Sequence, residues 1–427
     1  MKVKYIYSAC IEIDCDGFRI LTDPWFTDGA YDGSWYHFPK VDPFKFISRP
    51  DLIYISHIHP DHYDPIFLAK LFEKFGQIDI LIPDLNPNYL LFKGKSDGFD
   101  LIPTREFEND YVKIFIEEND TGSLSDIDSA LIVKDKQTEK VLLNLNDCIY
   151  NQTHVDKLTG ILDDLGGNLD FLALGYTGAG PYPQTYIDPI NDTKLLESEA
   201  KKKKIKFFER YLKFIETFKA GTNLPFAGEY MLGSRLAHLN KFRGVADAFE
   251  IKNIDDKAIV LSNGGTYNLV TEEIKNERSS LYDEESIQNR IKEIKTNKLD
   301  YEIEINLPFE KINFMRLLKS AAQKAASKSE ISDNYSFIFS LVEGENLKAR
   351  FLVKTEESSV MPMPLDEEIT LENFSEIIID YRYLYGLLTS IYHWNNAEVG
   401  SMYLTRRVPL DNFNESVQNY LNFLATC

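Results

Sequence analysis

Short apolar, β-prone runs separated by turn-forming residues recur along the first 270 positions. Tyr5 to Cys15 and Phe18 to Leu21 flank Asp16-Gly17, a favoured tight-turn pair, and predict a β-hairpin. Leu52-Ile53-Tyr54-Ile55 predicts a strand, and so do Ile78 to Ile82, Tyr111 to Ile116, Ala130 to Val133, Val141 to Leu145 and Phe171 to Leu174. Between two of these, residues 65–76 read as a helix, with Asp64 as N-cap and Pro65 at the first helical position. Residues 195–219 carry a long amphipathic pattern. Its Lys201 to Lys204 read as a solvated face rather than a phosphate site. Asn223 to Tyr230 and Ala258 to Leu261 close the series.

The pattern changes after residue 272. A polar, charged stretch runs to about 300, with a helix over Ser286 to Lys295. Beyond it the sequence predicts a strand over Tyr301 to Ile305 and a helix over Phe309 to Ala326. Strands over Tyr335 to Leu341 and Leu347 to Val353 come next, then a loop over Ser358 to Leu365 and a helical end. This pattern divides the chain into two domains, residues 1–272 and residues 273–427. The class is α/β, with a smaller α/β lobe at the C-terminal end.

Composition narrows the partners. Of the 427 residues 44% are hydrophobic and 27% charged, so a sizeable core is available. A net charge of -20 argues against nucleic acid or an anionic membrane surface as the main partner. The four cysteines form no C-x-x-C pair and read as reduced thiols of a cytoplasmic protein. The first residues lack the apolar core of a secretory signal, and no stretch is long and apolar enough to span a bilayer.

Candidate chemistry is concentrated in Ser56-His57-Ile58-His59-Pro60-Asp61-His62. This stretch holds three of the seven histidines. Imidazoles and a carboxylate at such spacing suit a divalent metal, and the strand-to-helix setting lets the side chains converge. The aromatic loop from Tyr31 to Pro39 contains Trp35, Tyr36 and His37, which either pack as a local core or wall a substrate pocket. Gly175-Tyr176-Thr177-Gly178-Ala179-Gly180 is a glycine-rich turn that lets backbone approach a ligand. His238 is a further pocket candidate. Residues 392 to 401 are rich in polar side chains and either reach the site or pack the C-terminal lobe.

The H-x-H-x-D-H run resembles the metal signature of the metallo-β-lactamase superfamily. The resemblance implies an αββα sandwich and a dinuclear site. It also implies roles for residues outside the run. Leu21-Thr22-Asp23-Pro24 is similar to the element that ends beside the metal, with Asp23 buttressing a metal-bound histidine. Asp147, after an apolar strand, matches the carboxylate that bridges two metals. The loop that usually supplies a third histidine has Asp126 and Asp128 instead. The last histidine position falls near Ala227, with the substrate-binding candidate Glu229 two residues on.

Within the superfamily the chain resembles the CMP-N-acetylneuraminate hydroxylase-like branch. The resemblance lies in Leu21 to Phe26, Ser34 to Pro39, His57 to His62, Asp128 to Val133, Leu143 to Cys148, Gly178 to Tyr186 and Pro225 to Tyr230. That branch couples its metal domain to a Rieske module, whose Cys/His pairs this sequence lacks. The implied metal set is His57, His59, Asp61, His62, Asp126 or Asp128, and Asp147, with Asp61 and Asp147 also catalytic. Replacement of histidines by carboxylates favours two iron ions over zinc. The leading reading is therefore a non-haem dinuclear iron oxygenase acting on a small polar substrate, with an external electron donor. The alternative is a hydrolase of an amide, ester, lactone or phosphodiester using one or two zinc ions.

Overall fold

The structure is a computed structural model; it describes residues 1–121, 127–329, 335–411 and 414–426. The hairpin around Asp16-Gly17 forms as the sequence predicts, with both turn residues at positive φ. The stretch from Tyr5 to Cys15 is two strands rather than one. Lys2–Tyr7 and Cys10–Cys15 pair antiparallel, and the chain reverses at Ser8, whose φ is 48°. An apolar run with no glycine or proline conceals that reversal.

These strands belong to an eight-stranded sheet ordered Ile274–Glu277, Leu261–Asn268, Lys2–Tyr7, Cys10–Cys15, Phe18–Thr22, Leu52–Tyr54, Asp79–Ile82 and Leu101–Pro103. A six-stranded sheet is ordered Thr222–Phe226, Phe171–Gly175, Val141–Asn144, Ser129–Asp135, Val112–Glu118 and Glu106–Glu108. Alternation decides which side chains turn inward. In Val112–Glu118 the buried residues are Val112, Ile114 and Ile116. They meet Val3, Ile11, Ile13 and Ile20 of the first sheet in one apolar layer. Full burial of each such side chain contributes about 1.5–3 kcal/mol.

Helices cover both outer faces. Phe67, Leu68 and Leu71 of Pro65–Phe75 pack on Ile53, Ile80 and Ile82. Val155 and Leu158 of Gln152–Asp164, with Tyr211 and Phe214 of Thr193–Phe218, pack on Ile132, Leu143 and Leu172. The result is the four-layered αββα sandwich. Asp64 does more than start its helix. Its carboxylate accepts from Phe67 N–H and also from the N–H groups of Phe26 and Thr27, tying the aromatic loop to the helix.

The C-terminal part builds a five-stranded sheet ordered Ser359–Met363, Asn346–Lys354, Ser336–Glu343, Phe374–Asp380 and Leu404–Val408. Three sequence expectations change here. The stretch Tyr301 to Ile305 is helical, Asp300–Glu304. Tyr301 and Ile305 are buried while Ile303 points to solvent. That is the i, i+4 face of a helix, and Glu302 caps it by accepting from Leu299 N–H at 2.9 Å. The expected loop at 358–365 is an edge strand, the position where Pro362 costs no ladder hydrogen bond. Phe374–Asp380, where the sequence pattern predicts no strand, runs parallel to Ser336–Glu343.

The core of this sheet continues into the first part of the chain. Trp25, Tyr31, Trp35 and Tyr230 share one apolar cluster with Phe337, Phe339, Leu384 and Trp394. No helix of the described residues is long and apolar enough to cross a membrane.

Candidate metal centre

Leu52–Tyr54 delivers the chain to the site, and backbone hydrogen bonds shape the turn beyond it. Asp23 N–H donates to Tyr54 O at 2.9 Å, and Ser56 N–H donates to Asp23 Oδ1 at 2.7 Å. His59 O then accepts from His62 N–H and Tyr63 N–H, curling the run into a turn just before the Asp64 cap. The turn aims three imidazoles at one region.

Each ring is oriented through the nitrogen it turns away from that region. His62 Nδ1 lies 3.2 Å from Asp23 Oδ2 and 3.2 Å from Ser56 Oγ. Its Nε2 faces Asp61 at 3.6 Å and Asp147 at 3.5 Å. His57 Nδ1 lies 2.9 Å from Ser56 Oγ and 3.6 Å from Asp128 Oδ1. His59 Nε2 meets Asn395 Oδ1 at 3.0 Å, and its Nδ1 meets His57 Nε2 at 2.9 Å.

Asp147 comes after Val141–Asn144 and is set by its neighbour. Asn146, at φ 47°, donates from Nδ2 to Ser129 O at 3.0 Å and so anchors the turn to the adjacent strand. Donor atoms of His57, His62 and Asp147 all lie within 4.8 Å of one another. Asp61 is buried and receives the Tyr31 hydroxyl hydrogen bond. Asp126 lies outside the described residues. Asp128 is described, and its Oδ1 is buried without a hydrogen-bond partner.

The charges agree with this crowding. Burial, with His62 and His59 beside it, keeps His57 well below the usual imidazole range. Burial opposes a charge on His62 too, but Asp147, Asp61 and Asp23 outweigh it and hold the ring well above that range. Burial and the Asp147 charge push Asp128 up to about 6. Burial of Asp147 is outweighed by His62, which holds that carboxylate low.

The donor set fits a divalent cation. His57 Nε2 and His59 Nδ1 face each other at 2.9 Å while their other nitrogens are engaged elsewhere. Two ligand atoms about 2.1 Å from one ion and at right angles to each other sit about 3 Å apart. The buried Asp128 oxygen, which makes no hydrogen bond, and the carboxylates around His62 point the same way.

The other candidates from the sequence take these positions. Trp35 is buried and stacks on Tyr230, ring centroids 3.4 Å apart. Tyr36 pairs with Met231 in a two-stranded ribbon. His37 is buried, with Nδ1 at 2.6 Å from Asp28 and Nε2 at 3.3 Å from the Trp25 carbonyl. Tyr176 is buried against Gly228, where a Cβ would come 2.7 Å from its ring. Glu229 is satisfied by Tyr5, Tyr282 and Arg278. His238 is exposed, with Nδ1 on the Arg235 carbonyl. His154 is buried beside the Glu117 carbonyl, outside the cluster.

Three residues near the cluster make contacts there that the sequence does not assign. Tyr31 is visible there as an aromatic but not as a donor to Asp61. Asn395 sits in the polar run near the C-terminal end, and only that polarity hints at it. Arg210 lies on Thr193–Phe218 with its guanidinium over the Phe207 ring at 4.5 Å. Burial disfavours its charge, and Asp147 and Asp128 favour it.

Residues 2–120 match the family described as the Beta-lactamase superfamily domain. The paired sheets have the metallo-β-lactamase fold. Relatives by sequence include the cytidine monophosphate-N-acetylneuraminic acid hydroxylase of Danio rerio. It is 29% identical over 156 residues, covering 35% of this chain and 26% of the relative. A putative Rieske 2Fe-2S iron-sulfur protein of Mycolicibacterium smegmatis is 27% identical over 256 residues, covering 57% of this chain and 47% of the relative. The matches thus span less than half the length of these relatives. Among solved structures, the metallo hydrolase Igni18 of Ignicoccus hospitalis aligns with a TM-score of 0.42 at 15% identity, covering 62% of this chain and 97% of that one. Proteins named as hydroxylases therefore stand among the sequence relatives of this metallo-β-lactamase-fold chain.

Proposed function

We propose that this protein is a non-haem dinuclear iron oxygenase that hydroxylates, or otherwise oxidises with O₂, a small polar substrate. The observation that supports it is the donor set. His57, His62 and Asp147 bring two imidazoles and one carboxylate within 4.8 Å, the combination that leaves open positions on non-haem iron. His59, Asp61 and Asp128 adjoin that group; His57, His59 and Asp128 would hold one ion and Asp61 and His62 the other, with Asp147 between them. Hydroxylase names among the sequence relatives support the same reading.

Iron at this site would supply the reduction of O₂. One oxygen atom enters a substrate C–H bond and the other leaves as water, consuming two electrons and two protons. The electrons come from an external donor, and the Rieske names among the relatives support an iron–sulfur protein in that role. The chain's own residues orient and insulate. Asp23 and Ser56 fix His62, Tyr31 holds Asp61, and Asp147, with its side chain 38% exposed, is more open to solvent than Asp61 or Asp128. We assign the metal site to the sandwich and propose that the division expected after residue 272 falls slightly later, after Ile274–Glu277, the last strand paired in the first sheet. Cys10, Cys15 and Cys148 are free and buried, which supports a cytoplasmic protein.

A zinc hydrolase is the second reading. Three imidazoles in one turn favour it, and Asp61 beside His62 Nε2 would orient a water whose pKa a bound zinc lowers to about 7. The deciding experiment is metal analysis of protein from iron-supplemented and zinc-supplemented cells, with an optical spectrum and O₂ uptake after reduction. Iron retention with O₂ uptake is expected. Zinc-only protein that hydrolyses a substrate at full rate, with iron-loaded protein inert to O₂, would promote the hydrolase.

A further inference from the structure

His59 is held from the far end of the chain. Its Nε2 lies 3.0 Å from Asn395 Oδ1, across 336 positions of sequence. Asn395 sits in the short helix Trp394–Val399, whose N-cap is His393. That helix is pinned on several sides. Trp394 is buried, and its indole N–H donates to the Leu424 carbonyl at 2.8 Å. Ala397 is fully buried in the lobe core. Gly400, at the helix end, backs onto the aromatic loop so closely that a Cβ there would come 3.0 Å from Ser34 Oγ and 3.1 Å from Tyr31 Cβ. Tyr31 is the residue that donates to Asp61.

The Asn395 contact has a chemical consequence. A side-chain carbonyl oxygen only accepts, so the His59 nitrogen facing it carries the proton. Neutral imidazole has one N–H, and placing it on Nε2 leaves the Nδ1 lone pair directed at His57 Nε2, 2.9 Å away. His62 and His57 are oriented by groups inside the sandwich, Asp23 and Ser56. His59 alone among the three rings takes its orientation from the C-terminal lobe.

We propose that Asn395 is a positioning residue of the metal centre. It fixes the Nε2–H tautomer of His59, aims Nδ1 at the ion, and makes the C-terminal lobe part of the site. The proposal rests on the metal-site reading above and is indifferent to whether the metal is iron or zinc. Because Gly400 and Asn395 lie on one pinned segment, displacement of the lobe would disturb His59 and Tyr31 together. The lobe is thereby coupled to both sides of the ligand cluster.

The test uses the full chain with Co²⁺ as probe, titrated against a competing chelator, for wild type, Asn395→Ala, Asn395→Asp and Asn396→Ala. Asn395→Ala is expected to weaken Co²⁺ binding about 10- to 100-fold and to alter the visible Co²⁺ bands. The His59 ¹⁵N signals should then lose their single Nε2–H pattern. Asn395→Asp, which keeps an acceptor oxygen, should restore affinity and pattern, and Asn396→Ala should match wild type. Wild-type affinity and an unchanged His59 tautomer in Asn395→Ala would overturn the proposal. Equal losses in all three variants, with a shared drop in melting temperature, would also overturn it by showing a fold effect. Wild type that binds no Co²⁺ would instead overturn the metal-site reading.

Discussion

The Nδ1 of His62 lies 3.2 Å from Asp23 Oδ2, and both side chains are shut away from solvent. Asp23 reaches that position at φ 37° while accepting Ser56 N–H through its other oxygen. One carboxylate therefore sets both the backbone entering the histidine run and the tautomer of the last histidine. Partners of this kind typically contribute about 10- to 100-fold to metal affinity. Asp23→Ala should lower affinity by that factor with the fold intact. A chelator titration beside a circular dichroism spectrum checks this, and unchanged affinity would refute the role.

Removing a ligand should do more than removing its support. His59→Ala and Asp147→Ala should leave protein with substoichiometric metal after dialysis, measured by plasma emission. His154→Ala should keep its metal, because His154 sits on the Glu117 carbonyl in a different part of the core. Full metal retention in Asp147→Ala would contradict a bridging carboxylate.

The preference for iron should track the carboxylates. Asp61, Asp128 and Asp147 offset most of the charge of two divalent ions and so favour their oxidation, an advantage that zinc cannot use. Asp128→His should raise zinc content and abolish O₂ uptake in the reduced protein. If Asp126 is the ligand instead, Asp126→His should do so and Asp128→His should not. Undiminished O₂ uptake in both variants would sever the link between carboxylate count and iron.

Asp32 predicts a pH dependence away from the metal. Burial pushes this carboxyl up to about 7, with Asp300 and Glu304 adding to the shift and the Tyr383 hydroxyl opposing it. The folded state therefore holds a proton that the unfolded chain, with a pKa near 3.9, releases. Stability from this group is complete below about pH 4 and is lost as pH rises through about 7. Asp32→Asn, which stays neutral, should flatten the fall in unfolding free energy between those values. Urea melts at pH 4.5, 6 and 7.5 measure it, and parallel curves for the two proteins would rule Asp32 out as the cause.

Much of this protein was legible from its sequence because local chemistry determined it. The Asp16-Gly17 turn, the Asp64 cap with Pro65, and the strand-to-helix turn that carries His57 to His62 depend on residues within a few positions of one another. The inward alternation of Val112, Ile114 and Ile116 is equally local. Local signals also mislead where two periods coincide. Tyr301 and Ile305 satisfy a strand's spacing of two as well as a helix's spacing of four, and only the buried surface under them chose the helix. The partners of the site are a different matter. Tyr31 meets Asp61, Arg210 lies near Asp147 and Asn395 reaches His59 because two sheets, a long helix and the C-terminal lobe pack against one another. A residue's neighbours in sequence constrain its backbone. Which groups it meets across a core is decided by the packing of whole elements, and no spacing along the chain records that.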